Sequence, residues 1–312
     1  MPVKAIYYNE FGSLDVLEYG ELERPELGPD SVLVQIAAAS VNPVDWKLMS
    51  GGLRSRMTSV FPVVPGWDLA GVVREIGPSV TRVSVGDNVY GYARMDFVHH
   101  GTFAEYAAVP ERVLAERPSS LSYADAAAIP LAGLTAYQAL VHRLHLDAED
   151  RLVVIGGAGG VGTFAIQIAR ALGADVYATG SPNNHSYLED LGAHPIEHLP
   201  HSRQTLATIK PTAVLDLYGG EPLQSTIGLL GGAERIATIA DPTIVAKGGH
   251  YVFVQPSSND LDALTDLANS GQLHVEIQEH FALADTKAAF EASMKGHVRG
   301  KLVIEIAELE HR

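Results

Sequence analysis

An apolar run that ends in a glycine turn constrains this chain more than any other feature. Arg151-Leu152-Val153-Val154-Ile155 leads directly into Gly156-Gly157-Ala158-Gly159-Gly160-Val161-Gly162, so a strand runs into Gly157-x-Gly159-x-x-Gly162. Each glycine has a task at that spacing: the first permits a tight turn, the second lets backbone amides approach a pyrophosphate, and the third lets the next helix pack on the strand. That helix is legible too, with Val161, Phe164, Ala165, Ile168 and Leu172 on one face at helical spacing. A diphosphate then sits at the helix's positive end, beside Gly160, Val161 and Gly162. A second strand over 174–179 arrives on schedule, so the pattern predicts a dinucleotide site.

Strand and helix signals keep alternating beyond it, with strands expected over 152–155, 176–179, 213–217 and 235–239 and a further one over 251–254. Such alternation is the sequence form of a parallel sheet with crossover helices. Upstream of about Tyr123 the texture differs. Short β-rich runs such as Ser31-Val32-Leu33-Val34-Gln35-Ile36 and Gly71-Val72-Val73-Arg74-Glu75-Ile76 are punctuated by Gly and Pro and suggest a small barrel-like domain. After Pro256 helical patterns over 261–268 and 285–294 flank a strand, and a last strand covers 302–306. At 312 residues, 46% of them hydrophobic, two domains with ordinary cores are expected.

Composition excludes several chemistries. There is no cysteine, which removes disulfides, thiolate nucleophiles and every cysteine-based zinc site. The formal charge of −15 is spread along the chain, opposing nucleic-acid and anionic-membrane partners. No run approaches the roughly 18 apolar residues of a membrane span. The amino terminus reads as a first strand and turn rather than a signal peptide, so a cytoplasmic location is expected.

Dinucleotide sites that take NAD usually carry Asp or Glu at the end of the second strand to hold the ribose 2′-hydroxyl. Here that place reads Thr179-Gly180-Ser181-Pro182-Asn183-Asn184. With no carboxylate to repel it, a 2′-phosphate could be held by Thr179, Ser181 and the amide of Asn183 or Asn184, beside Gly180. His185 or His198 could add partial positive charge. NADPH is therefore the expected cofactor.

The chain resembles the medium-chain dehydrogenase/reductase superfamily, in the zinc-free quinone oxidoreductase branch that includes zeta-crystallin-like proteins and enone reductases. The resemblance rests on Ser40-Val41-Asn42-Pro43-Val44-Asp45-Trp46-Lys47, Val64-Pro65-Gly66-Trp67-Asp68-Leu69-Ala70-Gly71, Val85-Gly86-Asp87-Asn88-Val89-Tyr90-Gly91 and Gly101-Thr102-Phe103-Ala104-Glu105-Tyr106. It continues through Leu131-Ala132-Gly133-Leu134-Thr135-Ala136-Tyr137, the glycine turn and Arg299-Gly300-Lys301-Leu302-Val303. The implied fold is α/β: a GroES-like, β-rich catalytic domain from residues 1–125 and 256–312, with a Rossmann domain of doubly wound parallel sheet inserted over 126–255. The implied activity is NADPH-dependent hydride transfer to a quinone or an α,β-unsaturated carbonyl by a homodimer. A biosynthetic enoyl or enone reductase and a non-catalytic NADPH-binding protein stand as alternatives.

The same resemblance implies roles for individual residues. Zinc-dependent relatives place ligands where Asn42 and Trp67 stand, so no metal site is expected. Asn42 would hydrogen-bond near the nicotinamide ribose or the substrate, with Asp45 and Lys47 bordering the pocket and Lys47 the side-chain candidate for proton donor. Asn42 could instead only shape a turn, Asp45 and Lys47 could form an exposed ion pair, and Asp68, which matches a family acid behind the pocket, could instead be a turn residue. Thr135 and Lys301 would lie near the cofactor, against readings as a buried helix threonine and a solvated strand-end charge. The backbone of Phe253 and Val254 would hold the carboxamide, although a core strand would use the same letters. Two tyrosines common in relatives are missing: Pro195-Ile196-Glu197-His198 replaces one and Ser50-Gly51-Gly52-Leu53-Arg54 the other.

Overall fold

The computed structural model describes residues 2–197 and 203–309. Contacts divide it into one unit made of Met1–Leu131, Gln255–Asn269 and Val275–Arg312 and a second made of Ala132–Val254 and Ser270–His274.

The first unit opens with the antiparallel pair β1 (Pro2–Tyr7) and β2 (Glu18–Glu23). β3 (Ser31–Val41), α1 (Pro43–Met49), β4 (Thr58–Ser59), β5 (Asp68–Ile76), β6 (Asn88–Tyr92), β7 (Phe97–Val98), β8 (Tyr106–Pro110), β9 (Leu114–Glu116) and α2 (Tyr123–Ala128) follow. The 11-residue β3 pairs with β5 and also with β8, and its register against β5 slips at Leu33/Val34 and again at Ile36/Ala38. Such bulges bend a strand, which is how small barrels turn their corners. Its alternate residues Val32, Val34 and Ile36 meet Leu69 and Val73 of β5, Val89 of β6, Val109 of β8 and Leu114 of β9 in the unit's core.

The chain passes through α3 (Pro130–Tyr137) into β10 (Arg151–Ile155), α4 (Gly160–Ala171), β11 (Asp175–Thr179), α5 (His185–Asp190), β12 (His194–Ile196), α6 (Arg203–Ile209), β13 (Ala213–Asp216), α7 (Gly220–Leu230), β14 (Ile236–Thr238) and β15 (His250–Tyr251). These strands form one parallel sheet in the order β12-β11-β10-β13-β14-β15, the crossover order of a dinucleotide-binding fold. Two expectations change here. The strand expected over 251–254 ends its ladder at Tyr251, and only the Val252 N–H still reaches Thr238 O, at 2.8 Å. α4 is buried nearly all round rather than along one face, while Leu172, assigned to that face, is exposed. Gln167 shows why: its amide bonds His274 at both backbone atoms (3.0 and 2.7 Å), so residues 270–274 cover the side expected to be solvated.

The chain then returns to the first unit as α8 (Ser258–Asn269), β16 (Ile277–Ala282), α9 (Thr286–Lys295) and β17 (Lys301–Glu305). β17 lies antiparallel to β3, with Leu302 opposite Val41 and Val303 opposite Ser40, while Ser40 faces Asp68 across the β3–β5 ladder. This register brings Ser40, Asn42, Asp68 and Lys301 together.

Candidate active site

In the second unit the glycine turn is braced from the neighbouring strand. The Gly156 N–H donates to Thr179 Oγ1 at 2.9 Å and the Gly157 N–H to Thr179 O at 3.0 Å. The left-handed residue is Gly156, at φ +91°, one place before the glycine expected to make the tight turn. Gly157 instead makes room for a neighbour, since a Cβ there would stand 2.7 Å from Ala178 Cβ. A Cβ on Gly162 would lie 2.3 Å from Gly156 O and 2.6 Å from Gly157 O, so the third glycine does allow α4 to close on the turn. At Gly159 a Cβ would meet only Gly156 O, at 3.7 Å. The space is open on the side a ligand would use.

The first bond of α4 that closes a full turn runs from Thr163 N–H to Gly159 O at 2.9 Å, leaving the amides of Gly160, Val161 and Gly162 to an acceptor outside the helix. This arrangement fits a dinucleotide's pyrophosphate.

The end of β11 carries no carboxylate as far as Asn184. Ser181 and Asn184 are half-buried and tied to one another, with Asn184 N–H on Ser181 O at 2.8 Å and Asn184 Nδ2 on Ser181 Oγ at 3.3 Å. Gly180 N–H is taken by Ile196 O. The Thr179 hydroxyl is buried and braces the turn by accepting the Gly156 N–H. His198 lies outside the described residues. Thr135 is buried in α3. Beyond β15, Val254 is buried and Phe253 is 47% exposed.

Asp216 has a part here that the sequence reading missed. Fully buried at the end of β13, its carboxylate accepts Gly219 N–H (2.9 and 3.0 Å), Tyr218 N–H (3.2 Å) and the Thr238 hydroxyl (2.6 Å), tying the β13 and β14 loops together. The signal was an Asp two and three residues before those amides, directly after an apolar strand.

The first unit holds a buried polar cluster. Asp68 Oδ2 accepts Ser40 Oγ–H at 2.7 Å and Asn42 Nδ2–H at 2.8 Å, and its Oδ1 accepts Leu131 N–H at 2.8 Å. The Lys301 ammonium donates to Asn42 Oδ1 at 2.5 Å and Val41 O at 3.1 Å and lies 3.8 Å from Asp68 Oδ2. The Asn42 amide thus bridges an ammonium and a carboxylate, which polarises it and fixes its orientation. Burial pushes the Asp68 carboxyl up and the Lys301 ammonium down, and their attraction opposes both shifts. Three donors on Asp68 and two acceptors on Lys301 favour the charged pair.

Asp45, 2% exposed, caps the start of α1 by accepting Asn42 N–H on Oδ2 at 2.7 Å, and burial pushes its carboxyl up to about 8. Its Oδ1 has no hydrogen-bond partner. Lys47 stands apart, exposed, with its ammonium 5.4 Å from the Trp46 ring centre. The two do not form the ion pair held open above, because residues two apart on a helix do not face each other. Lys301 is buried rather than a solvated strand end, and Asp68 is anchored in β5 rather than a turn. Trp67 is buried edge-to-face on Tyr92, with ring centres 6.0 Å apart. Among the described residues no group of three or more His, Asp or Glu side chains could hold a metal ion.

Family comparisons agree with this architecture. The alcohol dehydrogenase GroES-like domain model matches residues 28–119, the zinc-binding dehydrogenase model residues 191–304, and the alanine dehydrogenase/PNT C-terminal domain model residues 147–216. A chloroplast envelope quinone oxidoreductase homolog from Arabidopsis thaliana is 30% identical, over 96% of this chain and 98% of its own. The 2-methylene-furan-3-one reductase of Solanum lycopersicum is 34% identical over 97% of this chain and 79% of its own. The solved quinone oxidoreductase of Coxiella burnetii superposes with a TM-score of 0.87 at 32% identity, covering 98% of this chain and 100% of its own. Two units of these folds, a glycine turn built for a pyrophosphate and full-length likeness to such reductases lead to one assignment. The chain belongs to the medium-chain dehydrogenase/reductase superfamily, as an oxidoreductase of its quinone oxidoreductase and enone reductase branch.

Proposed function

We propose that the protein is an NADPH-dependent, zinc-independent reductase whose hydride acceptor is a quinone or an α,β-unsaturated carbonyl. The observation that carries the proposal is the hydrogen-bonded set at Asn42, Asp68 and Lys301, in which the Asn42 amide, at a position where the family resemblance puts a ligand of zinc-dependent relatives, is held by an ammonium and a carboxylate. A conjugated acceptor suits such a site, because its own π system takes up the charge that arrives with a hydride.

When bound, the reduced nicotinamide supplies that hydride. The first-turn amides of α4, beside Gly159, hold the pyrophosphate, and the loop Gly180 to Asn184 receives the adenosine ribose without a carboxylate against a 2′-phosphate. Thr135, Phe253 and Val254 belong to the nicotinamide end of the proposal. Asn42 and its buried partners hold the polar end of the acceptor site in a fixed orientation. One proton completes the reaction, taken by an enolate carbon or a hydroquinone oxygen; water or the exposed Lys47 ammonium supplies it. Named relatives support both acceptor types, among them a chloroplastic quinone-oxidoreductase homolog and an NADPH-dependent alkenal/one oxidoreductase. A homodimer in the cytoplasm completes the reading, with light scattering as the check on assembly.

NADPH oxidation against 1,4-benzoquinone, 9,10-phenanthrenequinone, alkenals and cyclic enones, with NADH in parallel, tests it. Turnover of at least one class with NADPH ahead of NADH is expected. Tight NADPH binding without turnover of any acceptor would point to a binding protein, and a strong NADH preference would overturn the reading of the Ser181 loop.

A further inference from the structure

Three ionisable side chains close the buried cluster of the first unit: Asp45, Asp68 and Lys301. Two carboxylates against one ammonium would leave a net negative charge shut away from water, a state that costs far more than placing a proton on one of the acids. Hydrogen bonding decides which acid takes it. Asp68 accepts three donors and faces the ammonium, so its charged form is the one stabilised. Asp45 accepts a single donor, the Asn42 N–H, and its second oxygen is buried with no partner.

A second orphan lies in the same surroundings. The Tyr8 hydroxyl is fully buried, has no partner, and is close enough to Asp45 for that carboxyl to push its pKa further up. The two oxygens do not bond each other, so an ionised Asp45 would carry charge on an oxygen that no donor serves. Tyr92 of β6 also faces the cluster, kept neutral by burial, while the Arg94 guanidinium bears on Tyr92 rather than on either carboxylate.

We infer that Asp45 is a protonated positioning residue: its neutral carboxyl caps Asn42 and leaves the single ammonium of Lys301 to Asp68 and the Asn42 amide. Were Asp45 ionised, it would compete with Asp68 for Lys301 and draw the ammonium off Asn42 Oδ1. The Asn42 side chain would then lose the contact that fixes its orientation. Burial of Asp45 acts in the same direction, holding its proton up to about pH 8. The kinetic part of this inference rests on the proposed reductase activity; the rest does not.

Asp45→Asn is the decisive variant, because a carboxamide copies the neutral acid and still accepts Asn42 N–H. In the infrared spectrum of the full chain at pH 7, the wild type should show a protonated-carboxyl C=O band that Asp45→Asn lacks. Unfolding gives an independent readout. A folded-state pKa raised to about 8 means that the native state holds a proton which the unfolded state releases above the ordinary carboxyl range. From about pH 5 to about pH 8 the wild-type unfolding constant should therefore rise about tenfold per pH unit relative to Asp45→Asn, and the ratio should level off above that. Turnover of the wild type should fall above about pH 8, and that alkaline limb should be missing in the variant. If Asp45→Asn does not fold, the wild type alone serves: its protonated-carboxyl band should be present at pH 7 and lost on raising the pH above about 9, and its absence at pH 7 would overturn the inference. No band difference together with a pH-independent ratio would overturn the inference. Inactivity toward every quinone and enone would instead sink the functional reading and leave the infrared and unfolding results standing.

Discussion

Removing the buried cation should cost stability in a way that exposes its partner. At 3.8 Å, a Lys301–Asp68 charge pair attracts by about 4 kcal/mol at an effective dielectric constant near 20. Lys301→Met keeps the stem and deletes the charge, leaving Asp68 buried with its three donors but no counter-ion, a loss of about 3–4 kcal/mol. Asp68→Asn alone strands the ammonium and should cost about as much. The double variant removes both charges, so its total should stay near about 4 kcal/mol, for a coupling of about 3 kcal/mol. Both tryptophans of the chain, Trp46 and Trp67, lie in the first unit, so urea unfolding followed by tryptophan fluorescence reports on the body that holds the pair. Additive single effects, with coupling under about 0.5 kcal/mol, would refute a charged Lys301–Asp68 pair.

The glycine turn separates packing from ligand approach. Gly162→Ala drives a Cβ into two backbone oxygens, at 2.3 and 2.6 Å, and should destabilise the fold by at least about 2 kcal/mol, whereas Gly159→Ala should melt like the wild type yet bind NADPH at least tenfold more weakly in a fluorescence titration. Thr179→Val deprives the Gly156 N–H of its acceptor, so an NADPH dissociation constant raised about tenfold is expected by titration calorimetry. Asp216→Ala leaves the Gly219 and Tyr218 N–H groups and the Thr238 hydroxyl without their acceptor; urea unfolding should show a loss of about 3 kcal/mol, and a change under about 0.5 kcal/mol would show that water replaces the carboxylate without cost.

Local signals gave the sheet strands and glycine turn their places, because strand periodicity and turn chemistry act over a few residues. They did not say which glycine turns left-handed. That follows from Thr179 on another strand, which takes the amides of both Gly156 and Gly157 and leaves Gly156 to absorb the positive φ. The polar cluster was legible only as separate letters known from a family resemblance. Asn42 and Lys301 are 259 residues apart, and only the pairing of β17 with β3 brings them into contact. Tyr8 and Asp216 were missed because an unpartnered hydroxyl and a loop-anchoring carboxylate are defined by surroundings that no short window contains. The covered face of α4 was hidden for the same reason, as its cover arrives from residues 270–274.

The last strand of the first unit has a consequence in time. On a ribosome adding about 5–20 residues per second, Asn42 and Asp68 emerge roughly 10–50 s before Lys301. Until then the emerging chain has the acid but no cation to neutralise it, and the edge of β3 lacks the strand that covers it. Nascent chains that stop short of β17 should therefore leave that edge of β3 open, so that the lysine which completes the cluster arrives only with the strand that covers it.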